Sequence, residues 1–178
     1  DMGAYELPGN PNFSCSFLAD VTRAYASLEA VFTASVTGSG DETNIVNYAW
    51  VFGGGGPAQS GPDARVVTNT FGVGRYTIGL TVENVLGGVT NFVRQNYIVV
   101  LGDEVYVAKD GANEAPYASW EDAATSFGSA HNVASEAIAR GAAATTIYVG
   151  TGTFAVASEI VLDEPIAVVG LGGVGTNE

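Results

Sequence analysis

Through the first hundred residues, apolar side chains recur at every second position and glycines interrupt them at short intervals. Phe32, Ala34 and Val36 alternate with Thr33, Ser35 and Thr37; Val46, Tyr48, Trp50 and Phe52 repeat the pattern, and so do Tyr76, Ile78, Leu80 and Val82. A strand turns successive side chains to opposite faces, so a period of two predicts strands with one buried face. Turn formers at 38–41, 53–57, 72–74 and 87–88 separate the strands, and 97–101 reads as a last apolar strand. The spacing predicts antiparallel sheets packed as a sandwich of about ninety residues.

After Gly102 the pattern changes. Val105-Tyr106-Val107 begins a strand, 110–116 form a loop, and a helical stretch is expected next. Ser119 with Asp122 three residues on has the form of a capping box, and Glu121 suits the positive end of a helix. A second helix is expected from Asn132, burying Val133, Ala137 and Ile138, with Arg140 in its last turn and Gly141 as its stop. Strands are expected again at 145–149, 160–162 and 166–169, with a turn at 150–152 and another in the glycine-rich 170–175. The resulting division is 1–10, closed by the turn formers Pro8, Gly9 and Pro11; 11–102, the sandwich; and 103–178, the second region.

Composition narrows the function classes. With 47% apolar and 10% aromatic residues the chain has ample material for a packed core. Six basic against nineteen acidic residues give a net charge of −13, which sets nucleic-acid binding aside. Only 14% of residues are charged, so much of the surface must be Gly, Ser, Thr, Asn and small apolar residues, as in secreted β-rich proteins. Cys15 is alone, which rules out an intrachain disulfide and suggests an inert buried thiol. No run of about 18 apolar residues is present to span a membrane.

Two motifs in the first region carry a family resemblance. Residues 47–56, Asn-Tyr-Ala-Trp-Val-Phe-Gly-Gly-Gly-Gly, resemble the Tyr-x-Trp-Asp-Phe-Gly-Asp-Gly core of the polycystic kidney disease (PKD) domain, an immunoglobulin-like sandwich of extracellular proteins. Residues 74–84, Gly-Arg-Tyr-Thr-Ile-Gly-Leu-Thr-Val-Glu-Asn, resemble its second signature. The acidic positions of the first motif are replaced by Val51 and glycine, so any ionic role of those carboxylates does not transfer. The resemblance implies that Trp50 fills the space between the sheets and that Gly53 to Gly56 form a turn.

The second region resembles the start of a right-handed parallel β-helix of the pectin-lyase-like superfamily. Tyr106-Val107, Asp110-Gly111, Ser119-Trp120 with Ala123-Ala124, and Tyr148-Val149-Gly150-Thr151-Gly152-Thr153-Phe154 carry the match. In such a solenoid a helix covers the otherwise open first coil. The opening Asp1-Met2-Gly3-Ala4-Tyr5-Glu6 resembles the closing phrase of another such β-helix. The expected fold class is therefore mainly β: an immunoglobulin-like PKD sandwich plus a partial parallel β-helix with an α-helical cap, cut from a longer bacterial surface polypeptide.

Candidate chemistry is sparse. His131 is the only histidine, so no Ser-His-Asp, Cys-His or multi-histidine metal site can assemble within the chain. The acidic pairs Asp41-Glu42, Asp103-Glu104, Glu121-Asp122 and Asp163-Glu164 could serve glycoside hydrolysis only if two carboxyls converged, and each sits beside turn formers or at a helix start. Solvated charge is the expected role. Asp110, Asn113 and Glu114 offer oxygen donors that suit calcium, but their spacing completes no calcium loop. Lys109 and Arg140 fall on the entry strand and cap helix, away from the later coils that carry lyase chemistry in relatives. No catalytic, metal or cofactor residues are assigned, and no ligand-binding residue is fixed; Tyr25, Phe92 and Tyr97 are the sandwich aromatics suited to stacking on sugar. The expected function is a non-catalytic extracellular structural or adhesive module, contacting neighbouring domains and possible polysaccharide or protein partners. The alternative is an accessory carbohydrate-binding portion of a β-helix lyase or hydrolase.

Overall fold

The computed structural model describes residues 13–38, 44–154, 159, 161–162 and 164–171. The opening phrase, the turn formers at 8–12, the Asp41-Glu42 pair, Ile160, Asp163 and most of the expected turn at 170–175 lie outside the described residues. In chain order the elements are β1 (Ser14–Ala19), β2 (Arg23–Tyr25), β3 (Leu28–Thr37), β4 (Ile45–Val51), β5 (Gln59–Gly61), β6 (Val66–Phe71), β7 (Gly74–Asn84), β8 (Val89–Leu101), β9 (Glu104–Val107), α1 (Phe127–Ala139), β10 (Thr145–Val149) and β11 (Ile166–Gly170). Of the described residues, 13–22, 29–70 and 76–98 form one compact unit, and 23–28, 71–75 and those from 99 onward form another.

The first unit draws on two sheets, ordered β1-β3-β6 and β2-β8-β7-β4-β5. β1 runs antiparallel to β3, with Phe17 opposite Ala34, and β4 runs antiparallel to both β5 and β7. Phe17 and Phe32 pack against Trp50, and Phe32 against Phe52, while Ala34, Ile78, Leu80, Val82 and Ile98 are buried as well. Trp50 is fully enclosed: its ring centroid lies 5.3 Å from that of Phe17 and 5.8 Å from that of Phe32. Its Nε1 donates to the Ala64 carbonyl at 2.7 Å, so the one polar atom of the indole is satisfied inside the core.

Backbone chemistry explains the turns. Gly53 has φ +58°, and a Cβ there would lie 2.6 Å from the Thr77 carbonyl oxygen; Gly56 faces the Asn69 side chain as closely. Asn69 in turn donates to the Gly55 carbonyl at 2.9 Å, so the four-glycine run is a turn cradled by an asparagine. Between β7 and β8, the buried Asn84 side chain accepts from the amides of Leu86 and Gly88, closing the hairpin with its own oxygen.

One strand departs from its expected alternation. Val46 should share the buried face of Tyr48 and Trp50, yet it is exposed. The pairing of β4 with β7 skips it, passing from Ile45↔Asn84 to Asn47↔Glu83, so Val46 is the extra residue of a bulge and turns outward.

In the second unit β9, β10 and β11 form a parallel sheet ordered β11-β10-β9, with Tyr106 opposite Tyr148 and Val149 opposite Gly170. The crossover from β9 to β10 carries α1, as parallel neighbours require a long connection. Ala130, Val133, Ala134 and Ala137 of α1 are buried at helical spacing and pack with Leu101, Val105, Val107, Tyr117, Ala124 and Ile147. The helix begins at Phe127, five residues before the expected Asn132, because Ser126 takes an extended backbone and its hydroxyl accepts from the Ser129 amide at 3.1 Å. It ends as expected beside Gly141, whose φ is +114°. Arg140 occupies the C-cap, and Ile138 is only half-buried.

The helix expected at Ser119 does not form. Ser119 does cap Asp122, whose amide donates to the hydroxyl at 3.2 Å, but the motif closes a turn. The following backbone is consumed by pairing elsewhere: the carbonyls of Glu121, Asp122 and Ala123 accept from Ala112, Glu114 and Asn113, and Ala124 exchanges bonds with Tyr106 and Ala108. Val161 and Leu162, expected in a strand, are exposed and lie outside one.

β2 pairs in parallel with Val99–Leu101, and Arg23 on it reaches α1 within the same unit. Its Nε and Nη2 donate to the two carboxylate oxygens of Glu136 at 2.6 Å each, while Arg140 donates to Glu136 at 2.8 Å and to the Arg23 carbonyl at 3.1 Å.

Candidate functional site

Alternation along β9 and β10 places Val105, Val107 and Ile147 on the core face, so Glu104, Tyr106 and Tyr148 stand on the other. The rings of Tyr106 and Tyr148 stack with centroids 5.3 Å apart and planes 22° from parallel. Trp120 meets Tyr106 edge to face at 4.8 Å. Glu104 accepts from the Tyr106 hydroxyl at 2.8 Å, which pushes that phenol's pKa up, and Tyr148 donates to its other oxygen at 3.5 Å.

The loop that carries Trp120 is closely fixed. Gly111 lies against the Ala123 carbonyl, where a Cβ would approach to 2.3 Å, so a side chain cannot be accommodated. Arg75 pairs with Glu114 and with Asp122, the latter at 3.2 Å, holding both ends of the loop by charge. Gly150 donates to the Val107 carbonyl at 2.8 Å, and its missing side chain leaves room for the Trp120 ring, which a Cβ would meet at 3.4 Å.

Beside Trp120 opens a cavity of about 500 Å³ lined by Ala108, Lys109, Asp110, Trp120, Glu121, Gly150, Thr151 and Leu171. Trp120 is 39% exposed, whereas Trp50 is 0% exposed. The polar lining consists of one ammonium, two carboxylates and a hydroxyl, a set suited to hydrogen bonding. The lone imidazole, His131, is not in the lining; it lies half-buried on α1, its Nε2 enclosed without a hydrogen-bond partner.

Among the described residues of the acidic pairs, three are engaged locally. Asp103 accepts from the Tyr25 hydroxyl at 2.5 Å, Glu104 holds the two tyrosines, and Asp122 pairs with Arg75, leaving Glu121 at the cavity. The oxygen donors considered for calcium diverge: Asp110 lines the cavity, Asn113 accepts from the Thr125 amide at 3.3 Å, and Glu114 faces Arg75. Among the described residues no group of three or more His, Cys, Asp or Glu side chains converges. Lys109 reaches the cavity with its stem against Gly152, while Arg140 is engaged with Glu136. Cys15 is buried in β1, which pushes its thiol pKa up.

The sandwich aromatics singled out for sugar stacking are half-buried. Phe92 and Tyr97 place their rings edge-on to the buried Phe17 at 5.5 and 5.7 Å, and the Arg94 guanidinium lies 4.7 Å from the Tyr97 centroid. The Tyr97 oxygen accepts from the Ala19 amide, and Tyr25 is tied to Asp103. Trp120, which was not among the aromatics singled out from the sequence for stacking, is the one that lines the cavity. Its signal was a tryptophan between Ser119 and Glu121 after a glycine-containing loop, a polar setting unlike that of Trp50.

No helix among the described residues is long and apolar enough to cross a membrane. No curated protein matches the sequence. Residues 22–97, which include β2 to β7 and the buried Trp50, match the family model of the PKD domain.

Proposed function

We propose that this chain is a non-catalytic structural and adhesive module of a multidomain extracellular bacterial surface protein, in which the PKD-like sandwich sets spacing and the second region begins a right-handed parallel β-helix capped by α1. The observation that carries the spacer role is the parallel pairing of β2 with the end of β8. Tension between the two chain ends draws β2 and the end of β8 in opposite directions and loads such a parallel ladder in shear, so its hydrogen bonds must yield together. The match of residues 22–97 to the PKD domain, an extracellular module in general, supports the same reading. The β-helix start is supported by three adjacent parallel strands in consecutive order and by the apolar, alanine-rich face of α1 between the first two. Neighbouring domains of the same polypeptide are the primary partners, with extracellular protein or polysaccharide as further contacts.

Single-molecule pulling between the two chain ends tests the spacer role. A discrete unfolding event that shifts to lower force when Ala24→Pro removes an amide from β2 is expected. Extension without a resolved event overturns the proposal. Incubation with acidic and neutral polysaccharides is expected to release no new chain ends, and turnover of any of them overturns the non-catalytic assignment.

A further inference from the structure

We propose that the cavity beside Trp120 is a binding subsite for one neutral pyranose unit of a glycan. The inference stands apart from the spacer role, which makes no use of this cavity.

The size fits. At about 500 Å³ the cavity falls within the range of roughly 300–1,000 Å³ typical of small-ligand sites. Its wall is a tryptophan 39% exposed, beside which the Tyr106 and Tyr148 rings pack in series. A pyranose presents a face of C–H groups that buries well on an indole, while its equatorial hydroxyls project sideways to polar partners. The lining supplies those partners as Asp110 and Glu121, which accept, Lys109, which donates, and Thr151, which does both. Order is already built in, since the edge contact with Tyr106, the Gly150 approach and the backbone pairing of 121–124 fix the loop before any ligand arrives. Binding therefore loses little further conformational freedom.

Charge selects among sugars. Two carboxylates against one ammonium leave the lining net negative, and the chain carries −13, so a uronate or a sulfated sugar would be repelled locally and at long range. A cationic peptide is the competing occupant, since a lysine could sit over Trp120. The net negative lining would attract it and the Lys109 ammonium would oppose it, so tetralysine is included in the test.

The chain reports on the site directly, because it has two tryptophans and only Trp120 is exposed. Intrinsic fluorescence of the full chain is titrated with cellohexaose, xylohexaose and mannohexaose, with hexagalacturonate and tetralysine alongside. A saturable change with at least one neutral hexasaccharide, together with protection of the exposed tryptophan from acrylamide quenching, is expected. Calorimetry should show Trp120→Ala weakening that binding more than tenfold. Asp110→Ala and Glu121→Gln keep the reporter and should each weaken it severalfold, with the melting temperature unchanged. Absence of saturation by every neutral sugar up to about 10 mM, beyond which an affinity is negligible, overturns the proposal. So does binding of hexagalacturonate or tetralysine in their place. A failed titration removes the subsite alone, since the pulling experiment judges the spacer role on other residues.

Discussion

The two compact units solve the problem of a core in opposite ways. The first stacks large rings: Phe17, Phe32, Trp50 and Phe52 pack within 6.4 Å of one another along successive pairs, and the sheets close over them. The second is lined mainly by small and branched residues, Ala124, Ala130, Ala134, Ala137 and Ala142 with Leu101, three valines and one isoleucine, around the single ring of Tyr117, while Tyr106, Trp120 and Tyr148 cluster away from that core. Rings bury the most area per residue, so the first unit spends its aromatics on stability. Small residues let backbones approach closely, so the second unit closes its core with few rings and leaves Trp120 39% exposed. The two tryptophans therefore differ as their sequence neighbours do, Trp50 within an apolar strand and Trp120 between Ser119 and Glu121.

The sharpest break of this contrast is truncation of each tryptophan in turn. Trp50→Ala removes a fully enclosed ring and its hydrogen bond to Ala64 and is expected to cost about 3–5 kcal/mol. Trp120→Ala, with its ring 39% exposed, should cost about 1 kcal/mol or less. Urea unfolding followed by circular dichroism measures both. Comparable losses would mean that the outer aromatic cluster is a second core.

Close approach is the second unit's counterpart to ring packing, and Gly111→Ala tests it. The added methyl meets the Ala123 carbonyl, so the loop must shift, at about 1–3 kcal/mol. Hydrogen exchange should report it as faster exchange at the amides of Asn113 and Ala124, which bond within this loop and to β9. Unchanged protection there would show that the loop has slack that the backbone contacts do not suggest.

These features were unequally legible in the sequence. Strands such as β3 and β7 could be read because one buried face forces a period of two, and Trp50 because an apolar strand surrounds it. Val46 could not, since a bulge is set by the register of the partner strand, which local spacing does not encode. Ser119 and Asp122 show the same limit from another side: their capping bond forms as expected, but the carbonyls that would continue a helix pair with Ala112, Asn113 and Glu114 across the loop. The start of α1 was missed because Gly128 and Ser129 dilute its first turn, leaving the Ser126 cap as the only signal. The candidate cavity is assembled from four separate segments, so its parts were visible as motif residues while their convergence was not.

That cap is the next smaller test. Ser126→Ala leaves the Ser129 amide without its acceptor and should cost about 1 kcal/mol. Ser126→Gly should recover part of the loss, since glycine is tolerated at a helix start. Helix signal lost from circular dichroism in the alanine variant and partly regained in the glycine variant would tie the second unit's small-residue core to the correct start of α1. Equal values for all three proteins would show that packing of Ala130, Val133, Ala134 and Ala137 alone fixes it.

The smallest effect concerns how charge supplements that alanine core. Glu136 receives both nitrogens of the Arg23 fork, and these hydrogen bonds hold its carboxyl below the ordinary glutamate value, aided by Arg140 and opposed by partial burial. A carboxyl whose pKa is depressed on folding contributes stability that is fully present above its unfolded value and is lost as the pH falls through its folded value. Glu136→Gln should therefore lower stability at pH 7 by about 1 kcal/mol or less, because the pair is partly solvated, and by less still in high salt. Below the folded value the native carboxyl is protonated too, and the two proteins should converge. Urea midpoints at pH 7 and pH 3, each at low and high salt, measure this. A difference that persists undiminished at pH 3 would assign the effect to the shape and hydrogen bonds of the side chain at the α1 surface, with its charge contributing nothing.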